Sequence, residues 1–596
     1  MAKRAIRIAG CSGAATDRRH AMAMLAANHP NDPIDVITGD WMSEANMTSR
    51  ATGKLDNPAE PAYEPTFLES LEPALADIAK YGIKVAVNAG ASDTKLLHQV
   101  VTDMVKSKNL HLKIAYISGD EVLPAVLRAQ QANSEDSSNN FENICTGELL
   151  ANWNFTPLSA QAYLGGLGIA LALSHGADIV ICGRVSDASP CIGAAVYWHD
   201  WTRAHLSELA NAFVAGHLIE CSSYVCGGNF TGFKALEHTP HQGGWTNMGF
   251  PIAEISSAGQ VVITKSANSG GLVSPQTCTS QLLYEIQGPW YYNSDVTAIL
   301  TDIRFESLGT NRVALHGVRA DLPPPTTKIG LTAKGGFQAE VHWFLCGLDI
   351  PSKARMMESQ IRHLLAPYSA RFTKLVFTLN GSALENATDQ NAATVDFRVF
   401  AQAPSAEDLA PQKFLRPCWD NVMQGYPGAT PHLDWRLGIP KAVQEYFVTL
   451  LPQREVEHKV HLWDGREIGI PPPQRTRVYP AQQPSEDVTP GRRRGGGEWG
   501  RTVRGPLGWV VHARSGDKGS NCNVGFWVRH KDEWNWLRSL LSVDFIKNLL
   551  ADEYKSGHKI VSLPSFPKIF PLPRPPFGVV VTSCAVSSAD VWARRI

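Results

Sequence analysis

Five times in the first 200 residues a short apolar run ends at a glycine-bearing turn, and helical spacing follows. The runs are "AIRIAG" (5–10), "PIDVITGD" (33–40), "KVAVNAG" (84–90), "LKIAYISGDEVLP" (112–124) and "ADIVICGR" (177–184). Between them lie "TDRRHAMAMLAANHP", "FLESLEPALADIAKYG", "LLHQVVTDMVKSKN" and "AQAYLGGLGIALALSHG". Strands without polar alternation are covered on both faces, and helices between them make crossovers, so this pattern demands a parallel sheet. The expected class is α/β, with βαβ units over 1–215. From 216 to 460 short strands separated by Gly and Pro ("GFPIAEI", "QVVITKS", "ATVDFRVFAQAP") predict an α+β extension of the same main domain, 1–460. Residues 471–504 are rich in Pro, Gly and Arg and lack apolar periodicity, which predicts a flexible linker. Residues 505–596 then form a small C-terminal α+β domain.

At 596 residues the chain is long enough for more than one core. A net charge of −1 gives no electrostatic footprint for nucleic acid or an anionic membrane. No window of 18 apolar residues suggests a membrane span. The opening "MAKRAIRIAGCSGAA" lacks a secretory apolar region, and eleven scattered cysteines form no disulfide framework. A cytoplasmic protein with reduced thiols is expected, a homo-oligomer whose partner is a small anionic molecule.

Chemistry can sit where strands end. In "AGCSGAATDR" the turn at Gly10 and Gly13 before a helix offers backbone N–H groups to an anion; the alternative is a plain βα turn. Ser12 sits in an incomplete nucleophile elbow. In "VNAGASD", Asn88 and Gly90 lie at the mouth of another strand, with Asp93 as a helix cap. In "CGRVSDAS", Arg184 suits bidentate recognition of a carboxylate or phosphate, Asp187 is a base or the internal partner of Arg184, and Ser186 a binding or capping hydroxyl. "CSSYVCGGNFTGF" with His238 and His241 has spacing too loose for zinc, so no metal is assigned. Gly270 and Gly271, with Thr277 beyond, make either an anion nest or a helix start. "HARSGDKGSNCNVG" gathers His512, Arg514, Asp517, Lys518 and Asn521 around three glycines, either a phosphate-holding loop or a polar hairpin.

Taken together and in this order, these motifs resemble the acyclic terpene utilisation (AtuA-like) family. The resemblance covers nearly the whole chain: a large domain to about residue 455, and a small domain from about 505 for which it implies a ferredoxin-like fold. It implies a place in the breakdown of acyclic terpenes, which runs through branched acyl-CoA intermediates, and it transfers no catalytic residue. The "RRRGGG" linker departs from compact bacterial members.

The expected function is lyase or hydratase chemistry on a small carboxylate or acyl-CoA. Asp187 or Asp517 would be the base and Arg184 and Lys518 the cations. Backbone donors would come from Gly10, Gly13 and Gly90, all in one electropositive hollow with Arg184 at its lip. No nicotinamide, flavin or other cofactor is expected, with acyl-CoA a substrate or ligand. The alternatives are a non-catalytic acyl-CoA-binding subunit, or partner of a biotin-dependent carboxylase, and a serine hydrolase acting through Ser12.

Overall fold

Val36–Gly39, Lys84–Val87 and Ile179–Ile181 are buried along nearly their whole length, as strands covered on both faces must be. In the computed structural model they form the middle of an eleven-stranded sheet. Its order runs Arg304–Gly309, Arg312–His316, Val261–Lys265, Pro251–Ile255, Ile6–Gly10, Val36–Gly39, Lys84–Val87, Ile179–Ile181, Ile114–Ser118, Lys459–His461, Glu467–Gly469. The structure describes residues 3–131, 141–237, 244–384, 386–481, 483–484, 503–518, 521–551, 554, 560–562 and 577–584. The five strands from Ile6–Gly10 to Ile114–Ser118 are parallel, as the sequence requires. Antiparallel strands extend the sheet on both sides. Residue 216 is therefore no break in the architecture, because Pro251–Ile255 pairs directly with Ile6–Gly10.

Two helices against this sheet, Ser189–His199 and Leu206–Glu220, are apolar all round. Every residue from Leu209 to Glu220 except Asn211 is buried. The second ends at Cys221 because Ser222 takes a positive φ of 50°. The chain there lies hard against the first strand's turn. A Cβ on Gly10 would strike the Ile219 carbonyl oxygen, and one on Gly13 would come within 2.5 Å of Cys221 Cα.

The chain divides into two compact units, one of 1–153, 159–331 and 446–596, the other of 154–158 and 332–445. In the second unit Thr394–Ala403 buries every other residue and pairs antiparallel with Lys374–Asn380. Met357, Ile361 and Leu365 of helix Ile350–Leu365 close its core with Trp343 and Phe397.

The C-terminal residues belong to the first unit. Val511–Lys518 and Asn521–Val528 form a hairpin in a four-stranded antiparallel sheet that also holds Phe577–Cys584 and Val561–Ser562. Helices Lys531–Leu540 and Val543–Leu550 pack on it through Leu537, Leu541, Ile546 and Leu550. Trp527 points the other way, into the main core. The first part of the expected tether is held too. Tyr479 donates to the Leu322 carbonyl oxygen (2.7 Å), and its ring centroid lies 5.0 Å from that of Tyr292; residues 485–502 lie outside the described ones. No helix among the described residues is long and apolar enough to cross a membrane. Ten cysteines there are free thiols.

Candidate functional site

The carboxyl ends of the parallel strands and the C-terminus of helix Leu206–Glu220 converge on a small recess, lined by Gly10, Ser12, Asp40, Asp187, Cys191 and Glu220 among others. Asp40 directly follows strand Val36–Gly39. Its Oδ1 accepts hydrogen bonds from Asn88 Nδ2 (2.5 Å) and from the Met42 N–H (2.9 Å). Asn88 is held in turn, its Oδ1 accepting from the Trp41 N–H (2.7 Å). Burial, and after it Asp187, push the Asp40 carboxyl well above the usual carboxylate range, against the pull of Arg184 and Asn88.

Arg184 is buried, at 1% exposure. Its backbone N–H donates to Asp120 Oδ2 (2.8 Å). Its guanidinium pairs with Asp187 Oδ1 (2.8 Å), lies 4.0 Å above the Tyr163 ring centroid and donates to the Met42 carbonyl oxygen (3.3 Å). Ser186 shares a hydrogen bond with Ser189 (2.7 Å) and accepts one from Asn293 Nδ2 (2.5 Å).

On the far wall Glu220 Oε1 lies 3.2 Å from His217 Nδ1. Burial lowers the His217 pKa, but Glu220 lifts it further, so it ends above its ordinary value. Oxygens of Asp187, Glu220 and Glu285 lie within 4.8 Å of one another, a spacing that could hold a metal ion. The Cys221 thiol is pushed far up by burial and then by Glu220, Glu285, Asp40 and Asp187 together, which makes it inert as a nucleophile.

Four carboxylates thus face one arginine and one histidine. These pairings correct the expected electropositive hollow: Arg184 is matched by Asp187 and His217 by Glu220. The charge of Arg184 is turned inward to Asp187, not outward to a solvent-borne anion. The glycine corners do not serve as open anion cradles either. The Gly90 N–H donates to the Cys182 carbonyl oxygen (2.8 Å), Gly270 to that of Asn247 (2.6 Å) and Gly271 to that of Gly244 (2.7 Å). The Gly13 N–H donates to Asp17 Oδ2 (3.2 Å), and the helix expected right after it starts only at Ala21. Gly10 and Gly13 are small because helix Leu206–Glu220 ends on top of them. Ser12 donates to the Ala14 carbonyl oxygen (2.8 Å), a local turn bond that gives it no base. Asp93 pairs with Lys54 (3.0 Å) and makes no side-chain cap. Thr277 completes a capping box with Ser274, so that stretch is a helix start.

The C-terminal motif meets the main domain rather than open solvent. Arg514 lies 4.5 Å from the ring centroid of Tyr224 and 4.3 Å from that of Tyr284, and donates to the Asn229 carbonyl oxygen (3.0 Å). His512 Nδ1 lies 2.9 Å from Thr231 Oγ1, and Asn521 Nδ2 donates to Gln287 Oε1 (3.4 Å). A Cβ on Gly516 would come 2.7 Å from the Glu285 backbone nitrogen and 2.8 Å from the Tyr284 ring, so this hairpin abuts the backbone at Glu285. Asp517 is exposed; the Lys518 side chain, His238 and His241 lie outside what the structure describes.

Motif reasoning pointed to Arg184, Asp187 and Asn88 but passed over Asp40, Glu220, Glu285 and His217. Only Asp40 carried a signal, as the residue that ends a strand of the parallel sheet. No curated protein and no solved structure matches the chain. The model of the acyclic terpene utilisation family protein AtuA matches residues 6–462, and the chain belongs to that family.

Proposed function

We propose that the protein is an enzyme of acyclic terpene utilisation that moves a proton beside a carbonyl, as a hydratase or lyase does, on a branched acyl-CoA or terpenoid carboxylate. One observation carries this reading: two carboxyl groups line the same recess in opposite electrostatic settings. Asp187 has Arg184 at 2.8 Å, while Asp40 is buried with its carboxyl biased toward the protonated form. Paired groups whose surroundings drive their protonation apart are suited to act as base and acid. In this reading Asp187 takes the proton and Asp40 returns one. Asn88 orients Asp40, and Arg184 is a positioning residue that holds Asp187. In this reading only the reacting end of the substrate enters the recess, beside Asp40 and Asp187. The anionic remainder would lie outside, away from the four carboxylates.

The test is turnover by the purified protein alone, in deuterium oxide, with branched acyl-CoAs and acyclic terpenoid carboxylates. Product bearing deuterium next to the carbonyl is expected. Asp40→Asn should lose a factor on the order of 10²–10⁴ while remaining folded. Tight binding without turnover would replace the enzyme by a binding subunit.

A further inference from the structure

Outside the recess, three side chains from three neighbouring strands form a second constellation. Ser118 ends strand Ile114–Ser118, His461 ends Lys459–His461, and Glu467 begins Glu467–Gly469. Register brings them together: Lys459 pairs with Ser118, and His461 is opposite both Tyr116 and Glu467. Ser118 Oγ lies 2.7 Å from His461 Nε2, and His461 Nδ1 lies 3.2 Å from Glu467 Oε1. The Tyr116 ring is parallel to the imidazole, with centroids 4.2 Å apart and planes 1° apart. That stacking fixes the ring so that one nitrogen faces the hydroxyl and the other the carboxylate. His98 packs on Tyr116 in turn, with ring centroids 5.0 Å apart.

We propose that Ser118, His461 and Glu467 form a nucleophile, base and orienting acid able to hydrolyse activated carboxylic esters, a separate activity from the chemistry of the recess. Nucleophile–base and base–acid contacts in series are the recognisable geometry of this chemistry, whatever the fold or chain order. The neutral imidazole satisfies both contacts in one tautomer, with Nδ1–H donating to Glu467 and Nε2 accepting from the Ser118 hydroxyl. Burial lowers the His461 pKa, with Lys459 and Lys95 adding to the effect and Glu467 opposing it. The base form therefore prevails at neutral pH. Ser118 is half-buried and Glu467 is 61% exposed, so the group opens to solvent.

In the reaction, Ser118 Oγ bonds to the acyl carbon and its proton passes to His461 Nε2. The bond to the leaving alcohol breaks, and that proton goes to the departing oxygen. Water then attacks the acyl-serine, giving a proton to His461; the carboxylic acid leaves and Ser118 recovers its hydrogen.

The experiment is labelling of the full-length protein with a fluorophosphonate probe, the modified peptide being located by mass spectrometry. Label on Ser118 is expected, lost in Ser118→Ala and slowed at least tenfold in His461→Gln. The rate should rise with pH through a midpoint below about 6.5, the ordinary histidine value. A thermal melt of each variant shows that it is folded. Folded wild-type protein that takes no label at Ser118, or labels equally fast in His461→Gln, overturns the proposal; the contacts would then be cross-strand packing alone. Asp40→Asn should label normally, and Ser118→Ala should keep the turnover of the recess, so the two readings fail separately.

Discussion

The Asp40 carboxyl stays protonated to higher pH in the folded chain than in the unfolded one, because burial and Asp187 disfavour its charge. In that window the native state binds the extra proton, so this contribution to stability is full below about pH 4 and is lost as pH rises. His217 acts with the same sign: its raised pKa adds stability below about pH 6.5 that is lost as pH climbs through its native value. Thermal denaturation should therefore give a higher Tm at pH 5.5 than at pH 8.5. Asp40→Asn, which cannot ionise, should flatten that slope; a slope unchanged in the variant would remove Asp40 as its source. At this scale the sequence was half legible. Arg184 and Asp187 stand three apart at a strand end, where an ion pair is easy to foresee. Glu220 and Glu285 are 65 positions apart, and each reads alone as a polar residue near the end of a helix. Only tertiary folding shows that they meet.

Among the elements, the alternation of apolar runs and helices was legible because parallel strands need crossover connections and cover on both faces. Helix ends were less so. The stretch 16–30 has helical spacing, yet the helix is only Ala21–Ala27. Tertiary partners claim the residues before it: Asp17 accepts from the Gly13 N–H, and Arg18 sits 4.0 Å over the Phe250 ring. The same geometry separates two kinds of glycine. Gly10→Ala would drive a methyl into the backbone of helix Leu206–Glu220, costing about 1–3 kcal/mol of stability or more. Gly53 lies inside helix Glu44–Asp56, and a methyl there meets nothing within 4 Å. Gly53→Ala should therefore stabilise by about 0.4–1 kcal/mol. Urea titration of both variants checks the pair, and equal effects would refute the packing assigned to Gly10.

For the whole molecule, the C-terminal residues were readable as a separate strand-and-helix segment but not as a docked one. "NCNVGFWV" is buried on both faces, which a lone hairpin would not be; the face with Asn523 and Trp527 is taken up by the main core. Arg514 fastens this contact between Tyr224 and Tyr284. Arg514→Ala removes a desolvated cation from two rings, each such contact being worth up to about 2 kcal/mol, and leaves the Asn229 carbonyl oxygen without that donor. Hydrogen exchange over 511–528 should quicken in this variant while strand 84–87 keeps its protection; an unchanged pattern would mean the docking does not depend on Arg514. The sheet's order has a further outcome during synthesis. Ile114–Ser118 is covered on one side only by Lys459–His461, more than 340 residues later. A chain leaving the ribosome must carry that strand with a bare edge until Lys459–His461 has been translated, and such an edge invites pairing with a neighbouring nascent chain.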